Sequence, residues 1–365
     1  TFLQKGFPEK LPSINKTEET MLEYKTLLRQ LCGIMSIPGC ERSAFEDVKA
    51  LVGDRFDDMY CDPARNIVLV KKSANPDAPR IMLDAHFDEV GMIVTGVSDE
   101  GYLRVTSVGG IDRQLLPASD MWVYAPSGKL YGVFACLAPH LATDNKTPEW
   151  KDLLLDIGCR TKEEAEKLVP LGTPVGYYNE GDDLPNNRIT GRGFDDKACA
   201  AGLICAVDAV PAEELAFDVY ITLSSGEEVG GGGAGRAAFV IEPELAIITD
   251  VNFALTPGVA GEEGGKFGEG PMISLSAVTD RKLTKKIIAI ADKLEMKHKK
   301  VVEPTSTGTN SSCVYCVNAG IPVAVVSIPL ANMHSFNESL CLDDAEAFSK
   351  LIGEIVKDKE IGGMN

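Results

Sequence analysis

Five residues with metal-binding side chains each follow a short apolar run or begin a predicted helix, and this placement constrains the fold more than any other feature of the chain. In an open α/β sheet, the carboxyl ends of the parallel strands meet at one edge, where ligands bind. Side chains that are far apart in sequence can therefore converge there. The chain has only four histidines, and two of them belong to this set. The five residues are His86, Asp195, Glu228, Asp250 and His334.

The order of apolar runs along the chain predicts the fold class. Short runs that fit buried strands, such as residues 81–85 and 245–248, alternate with helix-forming segments at both ends of the sequence. The middle of the chain instead has short alternating segments separated by glycine and proline, which is typical of a small antiparallel β domain. We therefore predict an α/β fold: a mostly parallel or mixed sheet, flanked by helices on both faces, with an inserted small β domain.

The same patterns predict the domain boundaries. A discontinuous catalytic α/β domain would comprise residues 1–92 and 176–365, with residues 1–19 as an N-terminal arm. Residues 93–175 would form the inserted β-rich domain.

Charge and composition exclude several classes of partner. Acidic residues outnumber basic ones by 54 to 36, which gives a formal net charge of −18 and disfavours binding to nucleic acid or to an anionic membrane. No apolar run is long enough to cross a bilayer, and the first residues show no signal-like stretch. The ten cysteines lie mostly in apolar segments, which favours reduced thiols and a cytoplasmic location.

The five candidate ligands suit a pair of divalent metal ions. Two ions about 3.5–4 Å apart need a bridging carboxylate and further ligands on each side. One aspartate, one histidine for each ion and one further carboxylate for each ion meet that requirement. Imidazole and carboxylate ligands without thiolate suit zinc, cobalt or manganese. Such ions lower the pKa of a shared water and polarise a scissile carbonyl, so the residues predict a two-metal hydrolase.

Three further carboxylates have predicted roles beside the ligands. Glu227 adjoins the ligand Glu228 without being counted as one, so it could take a proton from the attacking water and deliver it to the leaving amine. Asp88 follows His86 by two residues and could accept the second N–H of that imidazole. Glu89 is a weaker candidate for a similar orienting role.

These motifs, in this order, resemble the glutamyl and deblocking aminopeptidase family of dinuclear zinc metallopeptidases. The resemblance extends from about residue 21 to residue 360 and is strongest in five segments. They are IMLDAHFDEVG, FDDK, EEVG, ITDV and HSFNE.

The resemblance implies a role for each residue. Asp195 would bridge the metals, His86 and Asp250 would complete one site, and Glu228 and His334 would complete the other. Glu227 would be the general acid/base and Asp88 the orienting carboxylate. The peptide bond between Asp195 and Asp196 would be cis, as it often is in relatives. The family likeness also implies zinc as the metal, removal of N-terminal residues from peptides with a free N-terminus, and a homo-oligomer, a dodecamer, assembled through the inserted domain.

The sequence departs from the family pattern at several positions. Lys197 stands where arginine is more usual, and residues 308–311 read Gly-Thr-Asn-Ser instead of Gly-Thr-Asp-Ala. Residues 331–333, Ala-Asn-Met, replace an approach to the last histidine that contains an aromatic residue. We expect these segments to flank the substrate pocket, and they leave the side-chain preference open.

Three alternatives remain at the level of sequence. A metallo-carboxypeptidase or deacylase of the same clan would carry its inserted domain after the third carboxylate, whereas here the insertion lies between His86 and Asp195. A metal-free glycosidase would use Glu227 with another carboxylate, but that chemistry leaves both histidines without a role. A catalytically inactive metal-binding scaffold would have no need of the predicted base.

Overall fold

The computed structural model describes residues 22–138, 140–141 and 146–363, so the predicted arm, residues 1–19, lies outside the described residues. The strands are β1 Asp58–Cys61, β2 Ile67–Lys71, β3 Arg80–His86, β4 Gly91–Val97, β5 Leu103–Val108, β6 Asp120–Ala125, β7 Gly128–Phe134, β8 Leu154–Asp156, β9 Pro174–Tyr177, β10 Asp183–Leu184, β11 Arg188–Gly191, β12 Asp218–Ser224, β13 Leu245–Phe253, β14 Met272–Ser276, β15 Lys299–Glu303, β16 Val323–Leu330 and β17 Glu338–Cys341. The helices are α1 Tyr24–Gly33, α2 Phe45–Val52, α3 Lys162–Leu168, α4 Phe194–Asp208, α5 Gly233–Ile241, α6 Arg281–Lys293, α7 Ser311–Val314, α8 Leu342–Lys357 and α9 Lys359–Gly362.

A mixed eight-stranded sheet forms the centre of the molecule, in the order β1-β2-β12-β3-β13-β16-β14-β15. The four central strands β12, β3, β13 and β16 run parallel, so their carboxyl ends lie along one edge. Strand β14 pairs antiparallel with β16, and β2 pairs antiparallel with β12. The predicted mostly parallel or mixed sheet is confirmed.

Alternate residues of the central strands pack against helices on opposite faces. In β3, Leu83 belongs to a core that also includes α1, α4 and α8, whereas Met82 belongs to a core that includes α5. Both side chains are fully buried. This period-two pattern explains why the strands are continuously apolar, since neither face contacts water.

The residues between β3 and β10 form a separate small β unit. Strands β4, β5, β8, β7, β6 and β9 close into a barrel with an apolar core of its own. The barrel's first strand begins at Gly91 and its last strand ends at Tyr177. The predicted fold class, including an inserted small β unit, is confirmed, while the domain division at residues 93 and 175 stays a prediction. A third sheet, β10-β11-β17, connects the end of the barrel to α8.

Two further observations concern the cysteines and the helices. All ten cysteines are free thiols. Among the described residues, none of the helices combines the length and apolar character needed to cross a bilayer.

Candidate metal centre

The candidate ligands come together at the carboxyl edge of the central sheet. His86 is the last residue of β3, and Asp250 lies in the neighbouring parallel strand β13. Glu228 lies in a short 3₁₀ helix, Glu227–Val229, just after β12. His334 lies in the connection between β16 and β17. Parallel strands end at the same level, so four separate segments of chain deliver their side chains to one place.

The start of α4 brings the fifth ligand to the same edge. Asp195 is the second residue of that helix, and its dihedral angles are not yet helical. The peptide bond between Asp195 and Asp196 is cis, as the resemblance implied. The Asp195 carboxylate is buried between the two histidines.

The ligand atoms form two groups that share Asp195. Its Oδ1 lies 2.9 Å from Nε2 of His86, and Oδ1 of Asp250 lies 3.7 Å from the same nitrogen. Its other oxygen, Oδ2, lies 3.3 Å from Nε2 of His334, and that nitrogen lies 3.2 Å from Oε1 of Glu228. Within each group the ligand atoms are within 4.8 Å of one another. One carboxylate therefore presents one oxygen to each group.

The site carries more negative charge than its own residues can neutralise. Burial and the neighbouring Asp195 and Glu228 raise the pKa of Asp250 to about 6, although His86 opposes this. Burial disfavours a charged His334, yet hydrogen bonds to Asp195 and Glu228 raise its pKa to about 11. The neighbouring carboxylates therefore favour the protonated, positively charged form of each imidazole.

This donor set fits divalent cations. Nitrogen from imidazole and oxygen from carboxylates are the ligands that zinc, cobalt and manganese accept, and the ligand atoms of these two groups contain no sulfur. Buried carboxylates in such proximity are costly unless paired or bound to a metal. Two cations would replace protons on the imidazoles and balance the carboxylates at once.

Glu227 lies beside the two groups without belonging to either. Its side chain is half-buried, and burial together with the charges of Asp250 and Glu228 raises its pKa to about 8. A carboxyl group that gains and loses a proton near neutral pH is suited to general acid/base chemistry.

Asp88 makes different contacts from those predicted. The Nδ1 atom of His86 lies 2.9 Å from the main-chain carbonyl oxygen of Asp88, whereas the nearer carboxylate oxygen is 3.9 Å away. The Asp88 carboxylate instead accepts the main-chain N–H groups of Glu227 and Glu228, both at 3.1 Å. The carbonyl therefore orients the imidazole, and the carboxylate fixes the backbone that carries the candidate base and one ligand.

Sequence reasoning did not single out Glu338, although it ends the HSFNE segment. Its buried carboxylate accepts N–H groups from Phe194 at 2.7 Å, Asp195 at 3.3 Å and His334 at 3.0 Å. His334 has a left-handed backbone with φ 62°, which costs a non-glycine residue about 1–3 kcal/mol. One carboxylate therefore holds the backbone of two candidate ligands.

A second buried charged cluster adjoins the first. The two carboxylate oxygens of Glu89, Oε1 and Oε2, accept hydrogen bonds from Nη1 of Arg192 at 2.7 and 2.5 Å. The Oε1 atom also accepts a hydrogen bond from Nζ of Lys197 at 3.2 Å. Lys197 also donates to the carbonyl of Ile34 at 3.0 Å. Between the two basic residues, Gly193 has φ 65°, and a Cβ there would lie 2.5 Å from the Glu89 carboxylate. We call Glu89, Arg192 and Lys197 the ion-pair cluster.

The ion-pair cluster accounts for two features of the sequence. Glu89 binds cations of the protein itself, so it does not orient a metal ligand as proposed from the sequence. Lys197, which replaces the usual arginine, is fully buried within this cluster. Because Glu89 and Lys197 lie within three residues of His86 and Asp195, the same two segments build both clusters.

The barrel approaches the metal centre through a pair of glycines after β5. A Cβ on Gly110 would lie 3.2 Å from Nδ1 of His334, and a Cβ on Gly109 would lie 3.4 Å from the Cβ of Glu228. Gly109 also has φ 87°, which favours glycine. Side chains at either position would crowd two candidate ligands.

The Gly-Thr-Asn-Ser segment lies against the carboxyl edge of the sheet. Asn310 is buried, and its Nδ2 donates to Oδ2 of Asp84 and to Oγ of Ser224, both at 2.9 Å. Asp84 precedes His86 by two residues on β3, and burial raises its pKa to about 7. The asparagine therefore donates to a buried carboxyl group two residues before a candidate ligand, a contact that an ionised aspartate could not make.

Comparisons with known proteins identify the family of this chain. The "M42 glutamyl aminopeptidase" family matches residues 65–351. A lysyl aminopeptidase of Pyrococcus furiosus is 29% identical over 338 residues, which cover 91% of this chain and 96% of that protein. An aminopeptidase from the archaeon Desulfurococcus kamchatkensis has 29% identity and a TM-score of 0.86, with 92% of this chain and 94% of that chain covered.

A second similar structure belongs to a protein that forms large assemblies. The TET1 peptidase of Pyrococcus horikoshii has 30% identity and a TM-score of 0.81, and the match covers 92% of this chain and 99% of that one. That peptidase assembles into a tetrahedron or a large octahedral shell. Fold and sequence thus agree, and the chain belongs to the M42 glutamyl aminopeptidase family.

Proposed function

We propose that this protein is a two-metal aminopeptidase that removes N-terminal residues from peptides with a free α-amine. The observation that carries the proposal is the arrangement of His86, Asp250, Glu228 and His334 in two groups around Asp195. These five residues would hold two divalent ions, with Asp195 shared between the two groups; zinc is the first choice, with cobalt or manganese as substitutes. Membership of an aminopeptidase family supports the direction of cleavage.

In this proposal the candidate ligands and Glu338 have separate roles. His86 and Asp250 complete one metal site, and Glu228 and His334 complete the other. The bound ions supply Lewis acidity, which polarises the scissile carbonyl and acidifies the attacking water. Glu338 keeps the backbone of Asp195 and His334 in position, because its carboxylate accepts their N–H groups.

Glu227 carries the proton. Its carboxylate takes a proton from the attacking water and gives it to the nitrogen of the leaving peptide, so that a neutral amine departs. The Asp88 carboxylate holds the Glu227 N–H at 3.1 Å and so limits the positions that the base can adopt.

The test uses protein from which metal has been removed by chelation and which is then reloaded with zinc, cobalt or manganese. Aminoacyl chromogenic substrates with a free α-amine are compared with their N-acetylated counterparts. We expect hydrolysis only with metal and only of the free amines. Activity that survives chelation would instead favour metal-free hydrolysis, and a preference for N-acetylated substrates would favour a deacylase.

We also propose that the protein assembles into a homo-oligomer, a dodecamer, through the inserted domain at residues 93–175. The solved TET1 relatives that form dodecamers and shells support this. Tyr131 of the barrel and Tyr178, which follows the last barrel strand, are exposed and pack around Trp122 in edge and tilted contacts. Exposed aromatic groups of this kind are enriched at protein interfaces. Native mass spectrometry is expected to show twelve chains, and Tyr131→Ser is expected to reduce that number.

A further inference from the structure

Two cysteines that the catalytic proposal does not use lie one helical turn apart. Cys313 is in α7, Cys316 follows α7, and the intervening Tyr315 has helical dihedral angles of φ −60° and ψ −23°. Residues three apart in a helix have α-carbons about 5 Å apart, inside the range of about 4.4–6.8 Å that disulfide bonds span. The Cys313 thiol donates to the carbonyl of Asn310 at 3.1 Å, and the Cys316 thiol donates to the carbonyl of Cys313 at 3.5 Å. Both side chains therefore point in the same direction along one turn.

The two thiols differ in their exposure to solvent. Cys316 is exposed, whereas Cys313 is half-buried. Burial raises the pKa of the Cys313 thiol, and the nearby Asp84 and Cys316 add to this effect. A small oxidant in solution therefore meets the Cys316 thiol first. Cys136 is also exposed, but no other cysteine is near it in the sequence. Of these two exposed thiols, only Cys316 has a second thiol one turn away.

The turn that contains these thiols also holds Asn310 against the sheet. The main-chain N–H and the thiol of Cys313 both donate to the main-chain oxygen of Asn310, at 3.1 Å each. The side chain of Asn310 donates in turn to Asp84 of β3 and to Ser224 of β12, at 2.9 Å each. These two strands lead directly to the metal centre. A change in the α7 turn therefore reaches the carboxyl edge of the sheet through one side chain.

We propose that Cys313 and Cys316 are a site of reversible oxidation by low-molecular-weight disulfides, and that the disulfide bond formed between them lowers peptidase activity. The Cys316 thiolate attacks the small disulfide, forms a mixed disulfide and releases one thiolate. The Cys313 thiolate then attacks the Cys316 sulfur, forms the bond within the chain and releases the second thiolate. Two protein thiols are oxidised, the small disulfide is reduced to two thiols, and the two protons pass to the released thiolates.

Formation of the disulfide changes the α7 turn. Residues three apart in a helix have β-carbons about 5–6 Å apart, whereas a disulfide joins β-carbons about 3.5–4.5 Å apart, so the turn is distorted by about 1–2 Å. Cys313 also loses the thiol proton that it donates to Asn310. Asn310 is then held less firmly against Asp84 and Ser224. The effect on activity rests on the proposed aminopeptidase function, whereas the formation of the bond does not.

The first experiment detects the bond itself. The intact metal-loaded protein is incubated with oxidised glutathione, the remaining thiols are blocked with N-ethylmaleimide, and chymotrypsin then cleaves the chain after Tyr315. This cut separates the two cysteines, so their fragments stay joined only through a disulfide. Mass spectrometry is expected to find the joined fragments, two hydrogen atoms lighter than the two free-thiol fragments together. Cys136 is the internal control, since its glutathione adduct has no neighbouring thiol to displace it.

The second experiment measures kcat/KM for an aminoacyl p-nitroanilide before and after the same oxidation. We expect a decrease of about 3- to 10-fold, the range for one lost hydrogen bond, and recovery after reduction with a phosphine. Cys316→Ser cannot form the bond, so it should keep its activity through the treatment. Cys136→Ser, the same change at the other exposed cysteine, should lose activity as the wild-type protein does.

The possible failures are distinguishable. A lasting glutathione adduct on Cys316, without joined fragments, would overturn the oxidation site. Joined fragments with an unchanged kcat/KM, or an equal loss of activity in Cys316→Ser, would overturn the effect of the disulfide on activity. A metal-loaded protein that hydrolyses no aminoacyl substrate would contradict the proposed aminopeptidase function, and the joined fragments would still decide whether the disulfide forms.

Discussion

The metal centre and the ion-pair cluster are built from the same two segments of chain, yet they balance their charges in opposite ways. In the ion-pair cluster, Glu89 meets Arg192 and Lys197, and these cations lower its pKa even though burial opposes them. In the metal centre, burial and neighbouring carboxylates raise the pKa of Asp250 to about 6 and that of Glu227 to about 8. The protein's own cations neutralise the charge of Glu89 in the ion-pair cluster. The carboxylates of the metal centre have no such cations beside them in the described part of the chain.

This difference distinguishes a buried carboxylate that stabilises the fold through an ion pair from buried carboxylates that are available to bind a metal ion. Both clusters contain buried acids within a few residues of one another, so neither burial nor sequence position distinguishes them. The distinguishing property is whether the protein supplies the counter-charge. Glu89 has two cationic partners within 3.2 Å. Among the residues that the structure describes, the only cationic partners of the Asp195, Glu228 and Asp250 carboxylates are imidazoles, which are themselves candidate metal ligands.

The largest effect on activity is expected at Glu227. Glu227→Gln removes the proposed proton carrier but keeps the shape of the side chain, so turnover should fall by about 10²- to 10⁴-fold. Metal content, measured by inductively coupled plasma mass spectrometry, should not change. Glu213→Gln, the same substitution on an exposed loop, serves as the control and should retain full turnover. Unaltered turnover in the Glu227 variant would show that the proton passes elsewhere.

Substitutions in the two clusters should change the stability of the metal-free protein in opposite directions. Glu89→Gln leaves two buried cations without a counter-charge and should destabilise the fold by about 3–5 kcal/mol. Asp250→Asn removes a charge that burial and its neighbours disfavour, so it should stabilise the metal-free protein. Denaturant unfolding after chelation checks both. Shifts of the same sign would contradict the distinction between the clusters.

A smaller effect is expected at Glu338, which holds the backbone of two candidate ligands. Glu338→Gln replaces one accepting oxygen with an NH₂ group, so the N–H groups of Phe194, Asp195 and His334 lose part of their anchor. We expect zinc affinity, measured by competition with a chromophoric chelator, to fall by about 10- to 100-fold. Glu346→Gln, at an exposed position on α8, is the matched control. Equal affinities in the two variants would remove Glu338 from the support of the site.

The fold class was predictable because strand and helix periods are local properties of the sequence. Continuous apolar runs such as residues 245–248 indicated strands buried on both faces, and the structure has β13 in the middle of the sheet. The edge where His86 and Asp250 meet followed from the parallel arrangement of these strands. The sequence also indicated that a β unit was inserted, since the pattern of apolar residues changes after β3.

The supporting contacts were not predictable, because they depend on three-dimensional distances. Sequence spacing assigned the Asp88 carboxylate to His86, but the main-chain carbonyl is closer by about 1 Å and the carboxylate turns toward the 3₁₀ helix. Glu338 lies more than a hundred residues from Asp195, and no local pattern connects them. The partners of Glu89 were likewise invisible, since Arg192 and Lys197 are conventional surface residue types.

The most direct test of the two-metal proposal is an anomalous diffraction map of crystals grown with zinc and measured at the zinc absorption edge. The account predicts two peaks per chain about 3.5–4 Å apart, one beside His86 and Asp250, the other beside Glu228 and His334, with Asp195 between them. A single peak, or peaks that leave Asp195 outside the coordination sphere of either ion, would contradict it.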